Sequence, residues 1–164
     1  MTDAERISVS AAMILDEAMS WIGTPYKHQA CCKGAGCDCL GLIRGVYGAF
    51  WSPPETPPAY NPDWADADGE ESLANAAGRY LMPVDAGVRQ PAHVLLFRYR
   101  KGFPAKHAGI LVDDSRFIHA QAGACVSLVS FSPWWQRHLC GVYAFPSFRL
   151  NDETGKGASC PLLF

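Results

Sequence analysis

Positive charge is in short supply in this chain. Fourteen Lys and Arg stand against sixteen Asp and Glu, a formal charge of -2. That balance argues against the basic surface that non-specific nucleic-acid binding requires. Long apolar runs are lacking as well. No stretch approaches the roughly 20 apolar residues needed to cross a bilayer, so membrane insertion is not expected. The opening Met1-Thr2-Asp3-Ala4-Glu5-Arg6 is acidic as well as basic, and no continuous apolar segment follows. This is unlike a signal peptide, and synthesis in the cytoplasm is the expectation. An even cysteine count is missing too: there are seven, four of them within Cys31, Cys32, Cys37 and Cys39. An odd number without a secretion signal reads as free thiols rather than a disulfide framework. No internal repeat is visible.

What is present is ordinary globular material. Apolar residues make up 49 % and charged residues 18 % of 164, which suits one domain with a single core. Residues 8–22 read as a helix with Val9, Ala12, Met13, Ala18, Met19 and Ile22 near one face. Gly23 and Pro25 stop it. Residues 23–37 read as loop. Asp38 is then a good N-cap, followed by Cys39, Leu42, Ile43, Val46, Tyr47 and Phe50 at spacings of three and four. Pro53-Pro54 ends that helix. Residues 52–69 are proline-rich and acidic, a surface loop or insertion, and a short helix is expected over 70–81. Asp66, Asp68 and Glu70 alternate like the start of a calcium loop. However, the twelfth position from Asp66 is Ala77 rather than a carboxylate, so a solvated turn is expected.

The second half changes character. Residues 93–99, 108–112, 116–120, 126–129 and 141–145 are short β-branched or aromatic runs, with Asp113-Asp114-Ser115 as a tight connection. Helices first and sequential strands after imply an α+β fold, N-terminal helices on a central antiparallel sheet of about five or six strands. Residues 151–164 carry no pattern and read as a tail.

A cysteine in the first turn of a helix is a place for nucleophilic chemistry, since amide hydrogens and the helix dipole favour the thiolate. Equally, such a cysteine is a small buried hydrophobe in many proteins. Two histidines, His107 and His119, flank the hairpin and are expected close to opposite one another, within reach for one imidazole to orient the other. Cysteine, base and orienter follow the logic of a triad. The cluster Arg98, Arg100, Lys101 and Lys106 reads either as a carboxylate-binding patch or as a solvated hairpin tip. His28 with Cys31, Cys32, Cys37 and Cys39 lacks the second knuckle of a structural zinc site, so no metal or cofactor is expected. Cys37 is a candidate redox partner for a reactive Cys39.

Three blocks carry a resemblance. Asp38-Cys39-Leu40-Gly41-Leu42-Ile43-Arg44 with Gly23-Thr24-Pro25-Tyr26 before it, then Val94 to Phe97 with His107-Ala108-Gly109-Ile110, then Phe117-Ile118-His119-Ala120. Together they resemble the NlpC family of papain-like cell-wall cysteine peptidases over about residues 10–146. Within it the chain is most similar to small peptidases encoded with phage tail and gene-transfer-agent genes. The resemblance implies one peptidase domain over 1–150, with residues 52–90 inserted. It implies Cys39 as nucleophile, His107 as general base, His119 as third member, and Tyr26 near the developing oxyanion. Read from the residues themselves, Asp38, Arg98 and Arg100 are further candidates on the substrate side. The implied substrate is the stem peptide of peptidoglycan, often at the bond between D-glutamate and a diamino acid. The implied partners are tail hub or baseplate proteins, and the implied place of action is the cell envelope, reached on a particle. Alternatives are a non-catalytic tail-tip or adaptor module with the same fold, or an amidase or acyltransferase using the same triad. Two departures stand out: Leu40 replaces a commoner Ser, and Ala92-His93 replaces the usual Gly-Asp.

Overall fold

The computed structural model describes residues 6–52, 56–57 and 69–150. Chain order among them begins with β1 (Arg6–Ser8), α1 (Ala11–Met19), the two-residue strands β2 (Cys31–Cys32) and β3 (Gly36–Cys37), and α2 (Cys39–Gly48). It continues with α3 (Ser72–Tyr80), β4 (Met82–Val84), a 3-10 turn over Ala86–Val88, β5 (Val94–Phe97), β6 (His107–Asp113) and β7 (Arg116–Ala120). Then follow β8 (Val126–Ser130), α4 (Pro133–His138), β9 (Leu139–Ala144) and β10 (Phe148–Leu150). A six-stranded antiparallel sheet runs in the order β4-β9-β5-β6-β7-β8, and β1 pairs separately with β10. The expected α+β architecture is the one observed. No helix of the described residues is long and apolar enough to cross a membrane. Pro53-Pro54, Asp66, Asp68 and residues 151–164 lie outside the described residues.

Period-2 alternation splits the sheet's side chains between two cores. Val94, Leu96, Ala108, Ile110, Ile118 and Ala120 pack with Leu42 and Val46 of α2. Leu95, Phe97, Leu111 and Phe117 turn the other way, onto Phe131 and the α4 residue Trp135. The buried face of α1 differs from the expected one. Ile14, Ala18 and Trp21 are buried at helical spacing, whereas Met13, Met19 and Ile22 are exposed. The reason is Trp21, which lies so close to Gly45 that a β-carbon there would come within 2.1 Å of the indole. That close approach sets which side of α1 meets α2.

The β6–β7 hairpin also corrects an expected register. Ile110 pairs with Ile118 and Leu111 with Phe117, and the register shifts before Asp113 meets Arg116. Carried along the strand, this sets His119 against position 109, so the two histidines are diagonal neighbours rather than opposite. Diagonal positions remain within reach of long or aromatic side chains. Their rings do meet.

Candidate active site

Asp38 builds the entrance of α2. One carboxylate oxygen accepts the Gly41 amide hydrogen at 2.7 Å, and the other accepts that of Gln29 at 2.8 Å. The helix start is thereby capped and tied to the preceding loop. Gly41 is required here because a β-carbon would sit 1.9 Å from the Ala30 carbonyl oxygen. Cys39 therefore opens a helix whose position is fixed from both sides. Tyr26 is held by backbone contact on two sides as well: its amide donates to Ala124 and it bridges Cys37.

Cys39, His107, His119 and Tyr26 line one cleft of about 270 Å³. His107 Nε2 lies 2.8 Å from His119 Nδ1, and both side chains are buried. Burial, then the neighbouring His119, holds His107 well below the usual histidine range, and burial does the same to His119. Both imidazoles are neutral near pH 7 as a result. The Cys39 thiol is pushed up to about 12, by burial first and by the Asp38 carboxylate second. Amide hydrogens of Ala108, Leu40 and Cys39 itself pull it down, as a helix start should, yet burial outweighs them. The thiol is neutral near pH 7, contrary to the expectation of a thiolate. Such a pair needs the imidazole to take the proton as the sulfur attacks.

Of the other expected residues, Asp38 reaches the cleft with one oxygen engaged in capping and the other held by the Gln29 amide. The basic cluster divides. Lys106 lines the cleft, but Arg98 donates to Glu71 at 2.6 Å, and Arg100 lies over the ring of Phe103. Neither arginine lines the cleft: one turns to a carboxylate outside it and the other to an aromatic face. Cys31, Cys37, Cys39, Cys125 and Cys140 are free thiols, whereas Cys32 is disulfide-bonded, which amends the all-thiol expectation. Among the described residues no group of three or more His, Cys, Asp or Glu is arranged to hold a metal.

Trp135 was not singled out from the sequence, though it touches both imidazoles. Its ring stacks on His107 at 5.5 Å and meets His119 edge-on at 5.3 Å. The available signal was Ser132-Pro133, a cap residue followed by proline at the first helical position. The Ala92-His93 departure also has an account. Ala92 adopts φ 73, the left-handed region that favours glycine, and His93 Nδ1 accepts the Gln90 amide hydrogen at 3.0 Å. A carboxylate at 93 would make the same turn contact.

No family model matches the chain. In sequence it is similar to the murein DD-endopeptidase MepH of Escherichia coli, 26 % identical over 147 residues, covering 86 % of this chain and 49 % of that protein. It is also 26 % identical over 157 residues to the gamma-DL-glutamyl hydrolase of Bacillus subtilis, covering 92 % of this chain and 34 % of that protein. The chain thus spans about half, or a third, of the length of these relatives. In structure it is similar to an NlpC/P60 family protein from Bacillus cereus, with a TM-score of 0.61 and 19 % identity, covering 85 % of this chain and 41 % of that one. The chain carries the NlpC/P60 fold, and its relatives in sequence are hydrolases by name.

Proposed function

We propose that the chain is a cysteine peptidase cutting the stem peptides of peptidoglycan, with Cys39 as nucleophile, His107 as base and His119 positioning that base. The observation carrying this reading is one cleft that holds a helix-entrance thiol together with two imidazoles joined at 2.8 Å. For His107 to act as base, its Nε2 hydrogen donates to His119 Nδ1, which leaves Nδ1 of His107 to accept the thiol proton. The sulfur then adds to the amide carbonyl, and the oxyanion forms beside Tyr26 and the amides of the helix start. His107 returns the proton to the leaving amine as the carbon–nitrogen bond breaks. Water, deprotonated by the same imidazole, then opens the thioester and releases the free carboxylate.

Purified sacculi digested with wild type and Cys39→Ala, with products read by mass spectrometry, test this. New peptide ends and stem-peptide fragments from wild type alone are expected; equal amounts from both would end the reading. The relatives' names refer to different bonds, a DD-linkage and a gamma-DL-glutamyl linkage, and product masses distinguish them. They also distinguish hydrolysis from acyl transfer. The resemblance to small peptidases encoded with tail genes supports a place on a phage-like or gene-transfer-agent tail, acting on the envelope from outside. Immunodetection of the chain in purified particles checks that placement. A purely structural module would appear there too, but would cut no stem peptide.

A further inference from the structure

We propose that the aromatic shelf beside the cleft, formed by Tyr99 and Trp134, binds a saccharide ring of the glycan strand to which the stem peptide is attached. This rests on the reading of the chain as a peptidoglycan-cutting enzyme. Tyr99 and Trp134 are 42 % and 44 % exposed, and their ring centroids lie 6.2 Å apart. A single exposed apolar residue needs no explanation, but two adjoining aromatics continuous with a cleft do. Tyr99 supplies the continuity, since it lines the cleft and stacks on His107 at 6.0 Å.

Trp134 is not exposed for want of a core beside it. Its neighbour Trp135 is packed on both imidazoles, and successive helical residues point about 100° apart. The indole is held in place, too. The His138 ring stacks on it at 4.0 Å, with His138 Nδ1 2.6 Å from the Trp134 carbonyl oxygen. A ring fixed in advance loses little freedom when a ligand lands on it.

Charge selects among the ligands that flat aromatic faces accept. An ammonium group would be drawn by the ring quadrupole. Here, however, Arg137 stands in the last turn of α4, Arg100 and Lys101 follow Tyr99, and Lys106 lines the cleft. Those cations oppose a second one. A pyranose instead offers an uncharged face of C–H groups matching a ring in size, and turns its hydroxyls to water. In the polymer such a ring is covalently joined to the peptide.

The test compares one stem peptide, free and linked to its disaccharide. Wild type is expected to cut the linked form with kcat/KM about five- to tenfold higher, the value of one good ring contact. Trp134→Ala should remove that preference and leave the free peptide within about twofold, and Trp134→Tyr should restore part of it. Calorimetry with a peptide-free glycan tetrasaccharide, which needs no hydrolysis, should show saturable binding to wild type, weakened about five- to tenfold in Trp134→Ala. If wild type cuts neither substrate yet binds the tetrasaccharide, the peptidase reading fails and the shelf stands. Equal cutting of both substrates by wild type, or unaltered tetrasaccharide binding by Trp134→Ala, overturns the shelf.

Discussion

At the scale of single residues, the neutral imidazole pair sets how the protein responds to acid. Unfolded histidines titrate near 6.5, while burial holds His107 and His119 below that value in the folded state. Between the two values the unfolded chain binds more protons, so stability rises with pH there. The contribution is complete above about pH 6.5, and falls by about 2 kcal/mol per imidazole as pH drops to about 5. Urea midpoints at pH 7 and 5 should show this fall, and His119→Asn should shrink it; a flat wild-type profile would mean that the pair titrates alike in the folded and unfolded chain. Backbone sterics give a second contrast. Gly41→Ala drives a methyl into the Ala30 carbonyl oxygen and should lower stability by about 3 kcal/mol. Ala92→Gly instead relieves a left-handed alanine. That relief of about 1–2 kcal/mol offsets the lost buried methyl and the added unfolded-state freedom. Ala92→Gly should therefore lie within about 0.5 kcal/mol of wild type, measured by the same urea titrations.

Among the elements, α4 does work for the site that its length conceals. Trp135 excludes water from both imidazoles, so Trp135→Ala should let the His107 value climb back toward the ordinary range. The sign follows: a base with a raised value is protonated at higher pH. The acid limb of the kcat/KM profile should therefore move up toward neutrality, with activity near pH 5.5 falling more than activity at pH 8. A uniform drop at all pH values would assign Trp135 to packing alone. What was legible in the sequence follows from the same comparison. Helix α2 declared itself through Asp38 and an apolar stripe at helical spacing, and the β6–β7 hairpin through its turn residues. Both signals are local. Helix α4, six residues long, has too few turns to show a period, and β2 and β3, two residues each, too few residues to alternate. The engagement of Arg98 by Glu71, 27 positions away, is a tertiary contact that no local pattern announces. Neither is the diagonal meeting of His107 and His119, which depends on a register shift inside the hairpin.

For the molecule as a whole, the cleft exists because α2 is laid across the sheet with its N-terminal end at the start of β6. Cys39 and His107 share no local segment, so only the packing between helix and sheet brings them together. The far end of α2 is fastened by aromatic contacts. Trp51 stacks on Phe145 with centroids 5.9 Å apart and rings 5° from parallel, and its indole N–H donates to the Phe148 carbonyl at 2.9 Å. Phe148 begins β10, which pairs with β1, so this one side chain links the helix to the pairing of both ends of the described fold. Trp51→Ala should therefore lower stability by about 3–5 kcal/mol, the range for a buried aromatic truncated in a core. Helix α2 spans ten residues, about 15 Å at 1.5 Å per residue, and Cys39 stands at its opposite end. At a temperature where the variant remains folded, kcat/KM should consequently stay within about twofold of wild type, since the site's own contacts are untouched. Thermal unfolding together with kcat/KM at 15 °C measures both effects. A large loss of kcat/KM in a still-folded Trp51→Ala would mean that α2 transmits strain along its length to the thiol, and that helix and sheet are not the rigid frame on which the catalytic geometry depends.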